Sequence, residues 1–234
     1  MAAPAAAGDR GPGAEKLAAA ATLRLVAPAS PPAPSPSDVC VRGRPLPEAP
    51  AARLLRALRG VRWPDGQRVA RKGVQVERYC TLGRSSTRSN EAFDPGGLVW
   101  RAVAECVAAL CPSLPYTQVA LAKNFRGSPH VDARDVTWQL ALAVGTGYAP
   151  NTARLCFVDA EGQVTRVDTL NRAVRCDGRF PHWVDEYGSD AGDDTVERYS
   201  VIVYCTAKPH ATAPLCPVDH AWLAAGAAAP LDGD

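Results

Sequence analysis

No run in the chain approaches the ~18 apolar residues that a membrane-spanning helix needs, which excludes an ordinary transmembrane segment. The N-terminus lacks the positive-then-apolar pattern of a secretory signal, because Arg24 interrupts its alanine-rich run. None of the eight cysteines (40, 80, 106, 111, 156, 176, 205 and 216) forms a C-x-x-C pair, which argues against structural zinc. An even cysteine count without a signal reads as reduced, mostly buried thiols. The expected setting is intracellular, cytoplasmic or nuclear, with organelle targeting by the N-terminal tail left open. Lysine is scarce, 4 against 22 arginines, and a GC-rich coding sequence accounts for that without any special use of arginine. The net charge is only +2, so the chain is no polycation. There is no internal repeat.

What is present suits a folded domain. The 234 residues are 47% apolar and 21% charged, enough for one catalytic-size domain or two small ones. Residues 1–50 read as a disordered tail or leader: ten of the first 22 are alanine and eight of residues 27–50 are proline. Residues 51–115 read as a basic α+β supporting region. A short helix is expected over 51–60, ended by Gly60, then a strand over 73–80. A longer helix is expected over 94–111, with Asp94 as cap, Pro95 at its first position and Pro112 after it. From Pro115 the apolar period changes from 3.6 to 2. Strands are expected at 116–123, 136–144, 154–159, 163–168, 172–176 and 198–205, with turns such as Glu161-Gly162 and Asp177-Gly178 between them. Residues 116–208 therefore read as the core and 209–234 as a C-terminal tail. The fold expected is mainly β with flanking helices, a jelly roll or other β-sandwich.

Charge is uneven. Residues 51–90 carry ten basic and two acidic side chains; residues 159–234 carry six basic and thirteen acidic. Two solvated faces explain this. Nucleic-acid contact through 51–90 is the functional alternative, without a base-reading motif of interleaved aromatics to support it.

Only four histidines are present. His130 and Asp132 stand at i and i+2, just before an expected strand, so on an extended chain an imidazole and a carboxylate point the same way. His182 follows 52 residues later, near a strand end. Two histidines and one carboxylate on one face make the facial triad of non-haem iron(II) oxygenases, with positions open for a chelating cosubstrate and O2. Arg198, 16 residues beyond His182, opens a strand and suits bidentate binding of a carboxylate. Ser200 shares its face. Each residue also has a plainer reading: a surface pair for His130 and Asp132, a satisfied core histidine for His182, a surface charge for Arg198. His210 and His220 read as ordinary residues of the tail. Asn124 ends a strand and is a candidate for substrate contact or for a turn. Trp138 and Gln139 alternate, so one of them faces inward; Trp138 is carried as a substrate candidate. A Cys176–His182 nucleophile is a weaker rival, since nothing marks an oxyanion hole or a third orienting group.

In sequence order Lys123-Asn124, His130-x-Asp132, Asp177-Gly178, His182-Trp183-Val184 and Arg198-Tyr199-Ser200 resemble an Fe(II)/2-oxoglutarate-dependent dioxygenase, more narrowly an uncharacterised algal and protist group of such domains. The resemblance covers about residues 116–206. It implies a double-stranded β-helix of the jelly-roll, cupin-like kind. It implies iron ligated by His130, Asp132 and His182, and 2-oxoglutarate held by Arg198 with Ser200. O2 is then the oxidant, ascorbate a candidate reductant, and hydroxylation with release of succinate and CO2 the reaction. The substrate is left open among a small molecule, a protein side chain and a nucleobase of the TET/JBP-like branch. A non-catalytic jelly-roll binding module is the rival of another class. Two departures stand out. Residues 145–152 stand where related domains often carry a glycine pair after the strand that follows H-x-D, and an acidic insertion at 188–194 lengthens the gap before Arg198.

Overall fold

The computed structural model describes residues 31–64, 74–84, 87–148, 152–187, 196–214 and 216–227. Two six-stranded sheets form its centre. The first, or major, sheet holds β2 (Arg44–Pro45), β4 (Arg78–Gly83), β5 (Gln118–Lys123), β7 (Gln139–Thr146), β10 (Arg172–Cys176) and β12 (Glu197–Tyr204), in the order β2-β10-β7-β12-β5-β4. The minor sheet holds β1 (Val39–Arg42), β3 (Val74–Gln75), β6 (Arg126–His130), β8 (Leu155–Val158), β9 (Val164–Asp168) and β11 (His182–Val184), in the order β1-β9-β8-β11-β6-β3. The described α-helices are α1 (Glu48–Arg59), α2 (Thr87–Phe93), α3 (Leu98–Leu110) and α4 (His220–Ala227), with short 3-10 turns at Pro95–Gly97 and Lys208–His210. The architecture is mainly β with few helices, as the period-2 runs led one to expect. No described helix is long and apolar enough to cross a membrane.

The major sheet is buried on both faces, for different reasons. Outward-facing Leu140, Leu142, Val201, Val203, Val119 and Leu121 pack beneath Leu54 and Leu58 of α1 and Val99, Val103 and Cys106 of α3. The inward face of β7 packs Ala141 against Phe157, Leu155 and Val184 of the minor sheet. Small side chains stand on this inner face at Ala120, Ala122, Ala141 and Ser200. Their small volume leaves a cavity of about 890 Å3 between the sheets.

Several boundaries differ from expectation. The tail does not run to residue 50: β1 pairs in parallel with β9 and β2 pairs with β10. Arg166, 1% exposed, anchors this segment by bonding Asp38 and also Asp185, so charge pairing holds a chain that composition alone could not. Residues 1–30 lie outside the described residues. α1 begins at Glu48, with Pro50 in its first turn, where a missing N–H costs nothing. Asp94 does cap, accepting from the N–H groups of Val99 and Trp100 at 3.0 and 2.9 Å. Pro95, however, opens a 3-10 turn before α3 rather than α3 itself. The supporting region is not a separate layer, since β3 and β4 extend the two sheets. The C-terminal segment docks too. Val218 bridges Cys176, and Trp222 of α4 lies 4.0 Å beneath the Arg44 guanidinium.

Among the described residues no cysteine is joined in a disulfide. Burial pushes Cys80 up to about 12 and Cys106 up to about 11, and raises Cys156 and Cys176 as well. These four should stay protonated and unreactive at about pH 8. Iodoacetamide should modify exposed Cys40 first in the native protein and reach the buried four only after unfolding. Peptide mass mapping decides the matter, and native labelling of the buried thiols at the Cys40 rate would contradict this packing.

Candidate metal centre and anion pocket

Strand pairing brings the two histidines together. His182 of β11 and His130 of β6 are direct cross-strand partners, and their ring centroids lie 4.3 Å apart. His182 Nδ1 meets the Phe180 carbonyl at 2.9 Å. Donation there leaves Nε2 as the nitrogen with a lone pair, and it lies 3.7 Å from Asp132 Oδ2. His130 Nε2 is 3.9 Å from Asp132 Oδ1. One donor atom from each of the three residues falls within 4.8 Å of the others, close enough for one ion to touch all three. The local setting departs from expectation in one respect. His130 ends a strand instead of preceding one, and Asp132 sits in the loop beyond it, tied by its N–H to the Gly178 carbonyl at 2.7 Å. The pair shares a face because that loop is anchored, not because both residues are extended.

A second carboxylate stands beside the triad. Asp135 is 6% exposed. Burial, with the Asp132 charge next, pushes its carboxyl up to about 7. Arg179 is close enough to oppose this, but its guanidinium is already engaged by Asp177 at 2.7 and 2.8 Å. The Asp132 carboxylate beside two imidazoles favours a divalent cation, and such a donor set suits iron(II).

The opposite charge lies elsewhere in the same cavity. Arg198 is 2% exposed on β12. It donates to the Ser200 hydroxyl, to the Ala153 carbonyl at 3.2 Å and toward Thr169 Oγ1 at 3.5 Å. Its guanidinium stands 5.6 Å from the ring centre of Tyr187. Among the described residues no carboxylate forms an ion pair with it, and neither its Nε nor the buried Tyr148 hydroxyl has a hydrogen-bond partner. An unmet buried donor costs ~1–3 kcal/mol, so the pocket is built for an anionic or strongly accepting group. Gly145, with φ 147°, permits β7 to approach here: a Cβ would fall 1.8 Å from the Glu197 carbonyl oxygen.

Of the sequence candidates, His130, Asp132, His182, Arg198 and Ser200 all line this cavity. Asn124 does not. It has φ 51°, accepts the Arg198 N–H at 2.9 Å and donates to the Val196 carbonyl at 3.0 Å, so it straps the end of β5 to the start of β12. Trp138 is also displaced from the site: it packs on the outer cluster, under Arg175 at 5.1 Å. Gln139, 2% exposed, is the inward residue of that pair. Cys176 is fully buried with its thiol bonded toward Gln139, which removes it as a nucleophile. Exposed His210 and His220 are outside the lining. Sequence reasoning missed Asp135, Thr169 and Tyr148. Loop residues carry no periodicity that would reveal where they point. Residues 149–151 and the whole 188–194 insertion lie outside the described residues.

No family model matches the chain, and no curated protein does. Solved structures with some likeness include an oxidoreductase of the 2OG-Fe(II) oxygenase family from Burkholderia pseudomallei. That pair is 14% identical, with 91% of this chain and 98% of the other covered at a TM-score of 0.42. A likeness that loose assigns neither fold nor activity.

The buried cation makes a testable difference to the free protein. Replacing Arg198 by methionine removes an incompletely solvated charge and keeps most of the volume. The melting temperature of Arg198→Met without added ligands should equal or exceed that of the unmodified chain. A fall beyond about 4 °C in calorimetry would show that Arg198 is a structural cation instead.

Proposed function

We propose that the chain is an Fe(II)/2-oxoglutarate-dependent dioxygenase on a double-stranded β-helix. The observation that carries this reading is a single cavity holding both a His130–Asp132–His182 cluster and a buried guanidinium without a carboxylate partner among the described residues. The strand order supports the fold reading: from β5 to β12 the eight strands form orders β10-β7-β12-β5 and β9-β8-β11-β6 in two facing sheets, as a jelly roll requires. The narrower likeness to algal and protist domains rests on the motif residues quoted above.

His130, Asp132 and His182 would hold iron(II). Arg198, with Ser200, would bind the far carboxylate of 2-oxoglutarate, and Thr169 lies beside them. With iron bound, the group supplies the coupled oxidation in which O2 converts 2-oxoglutarate to succinate and CO2 while its other oxygen atom enters a substrate C–H bond. The chain's part is positional. The alanine-lined inner face leaves room for both molecules. Leu155 and Phe125 add apolar lining, and His182 is oriented by the Phe180 carbonyl.

The substrate stays open among small molecules, protein side chains and nucleobases. Nucleic-acid contact through 51–90 would have to use a divided surface. Arg53 and Arg59 belong to the outer helical layer and pair with Glu105 and Glu197, whereas Arg78 lies on β4, whose inward side chains Tyr79 and Thr81 line the cavity.

Anaerobic titration tests the reading. Iron(II) and 2-oxoglutarate together should give the visible charge-transfer band of a chelated keto acid. Asp132→Ala should abolish it. Arg198→Ala should raise the 2-oxoglutarate needed by roughly 10–100-fold, the worth of a charge-assisted hydrogen-bond pair. Iron bound without a band would reject 2-oxoglutarate; no iron bound would reject the oxygenase.

A further inference from the structure

The loop that carries Asp132 is held by its backbone, and the side chain of Asp132 is 38% exposed. Its carboxylate is nevertheless held from below by one buried residue. Gln139 Nε2 donates to Asp132 Oδ2 at 3.0 Å and also to Asp135 Oδ2, so both amide hydrogens are used. Gln139 Oε1 faces the Cys176 thiol at 3.8 Å. The orientation of the amide follows from chemistry: turned over, its oxygen would confront the Asp132 carboxylate, which can only accept.

Gly178 closes this arrangement. A Cβ there would fall 2.3 Å from Gln139 Nε2, so only glycine lets the Asp177-Gly178 turn lie on the amide. The same glycine supplies the carbonyl that holds the Asp132 N–H. One glycine therefore fixes the Asp132 main chain and makes room for the group that fixes its side chain. Gln139 also belongs to β7 and pairs with Cys176 of β10, which puts the amide on sheet rather than loop.

We propose that Gln139 is the positioning residue of the site: it sets the orientation of the Asp132 carboxylate for a divalent cation while leaving its charge intact. This inference rests on the metal reading above. A lysine or arginine in this place would also hold the carboxylate, but would cancel the charge that attracts the cation. A neutral amide holds without cancelling. Sharing the amide with Asp135 ties a second carboxyl group beside the site.

Cobalt(II) titration of the metal-free full chain is the test, read by visible absorption and by competition with a chelating dye. Two variants are needed. Gln139→Met keeps volume and removes both donors; Gln139→Asn keeps a buried amide one methylene too short to reach. Both should bind cobalt roughly 10–100-fold more weakly, with an altered d–d spectrum at saturating cobalt, while circular dichroism shows the native fold. A merely structural role would lower thermal stability and leave the saturated spectrum unchanged. Should the methionine variant fail to fold, the asparagine variant decides. Affinity within about twofold of the unmodified chain, with its spectrum, overturns the proposal. Asp132→Ala separates the two levels: if the unmodified chain binds cobalt no better than Asp132→Ala does, the metal reading itself fails.

Discussion

Opposite charges held apart in one cavity are the constraint on which the structure turns. At one place a guanidinium, Arg198, is buried among hydroxyls, a carbonyl and an aromatic ring. At another, Asp132 and Asp135 share a neutral amide. Had they met, they would have formed an ordinary buried ion pair and needed no ligand. The sheets keep them separate, and the small residues of the inner face keep the space between them open. A chelate with one anionic end on a metal and the other on a guanidinium satisfies both charges at once.

The rest of the fold serves to keep that separation rigid. β12 carries Arg198, and it is gripped from outside as well as inside. Glu197 takes a two-pronged bond from Arg59 of α1, and Tyr199 donates to Glu197 while stacking with Trp63 at 6.0 Å. Val201 and Val203 lie fully buried under the helices. On the minor sheet the strand of His182 is fastened through Asp185, three residues on, to Arg166 and Arg154. Burial opposes the Arg166 charge, but the hydrogen bonds it donates to Asp38 and Asp185 overcome it and hold the group firmly protonated. The N-terminal segment thereby braces the strand that carries His182.

Much of this was legible in the sequence where side chains repeat with period 2. The runs that became β5, β7, β8, β9, β10 and β12 were located to within a few residues, and H-x-D, the distant histidine and R-x-S fell in one cavity. Three things were hidden, each for a physical reason. β6 contains Gly127 and Pro129 and β11 has three residues, too little pattern to read. β1 and β2 lie in a proline-rich stretch and are held by partners more than 120 residues away, which no local signal reports. The choice between Trp138 and Gln139 could not be made from alternation, because β7 is buried on both faces. Helices cover one side and the minor sheet the other, so neither parity reads as solvent. The buried polar residue then faces the site, and the large aromatic packs with the helices.

The most direct test of the account is where iron sits. Crystals grown anaerobically with iron(II) would be measured on both sides of the iron absorption edge. The account predicts one anomalous peak per chain, in contact with His130 Nε2, Asp132 and His182 Nε2 together. No peak there, or one at a cysteine or at the exposed histidines 210 and 220, would contradict it.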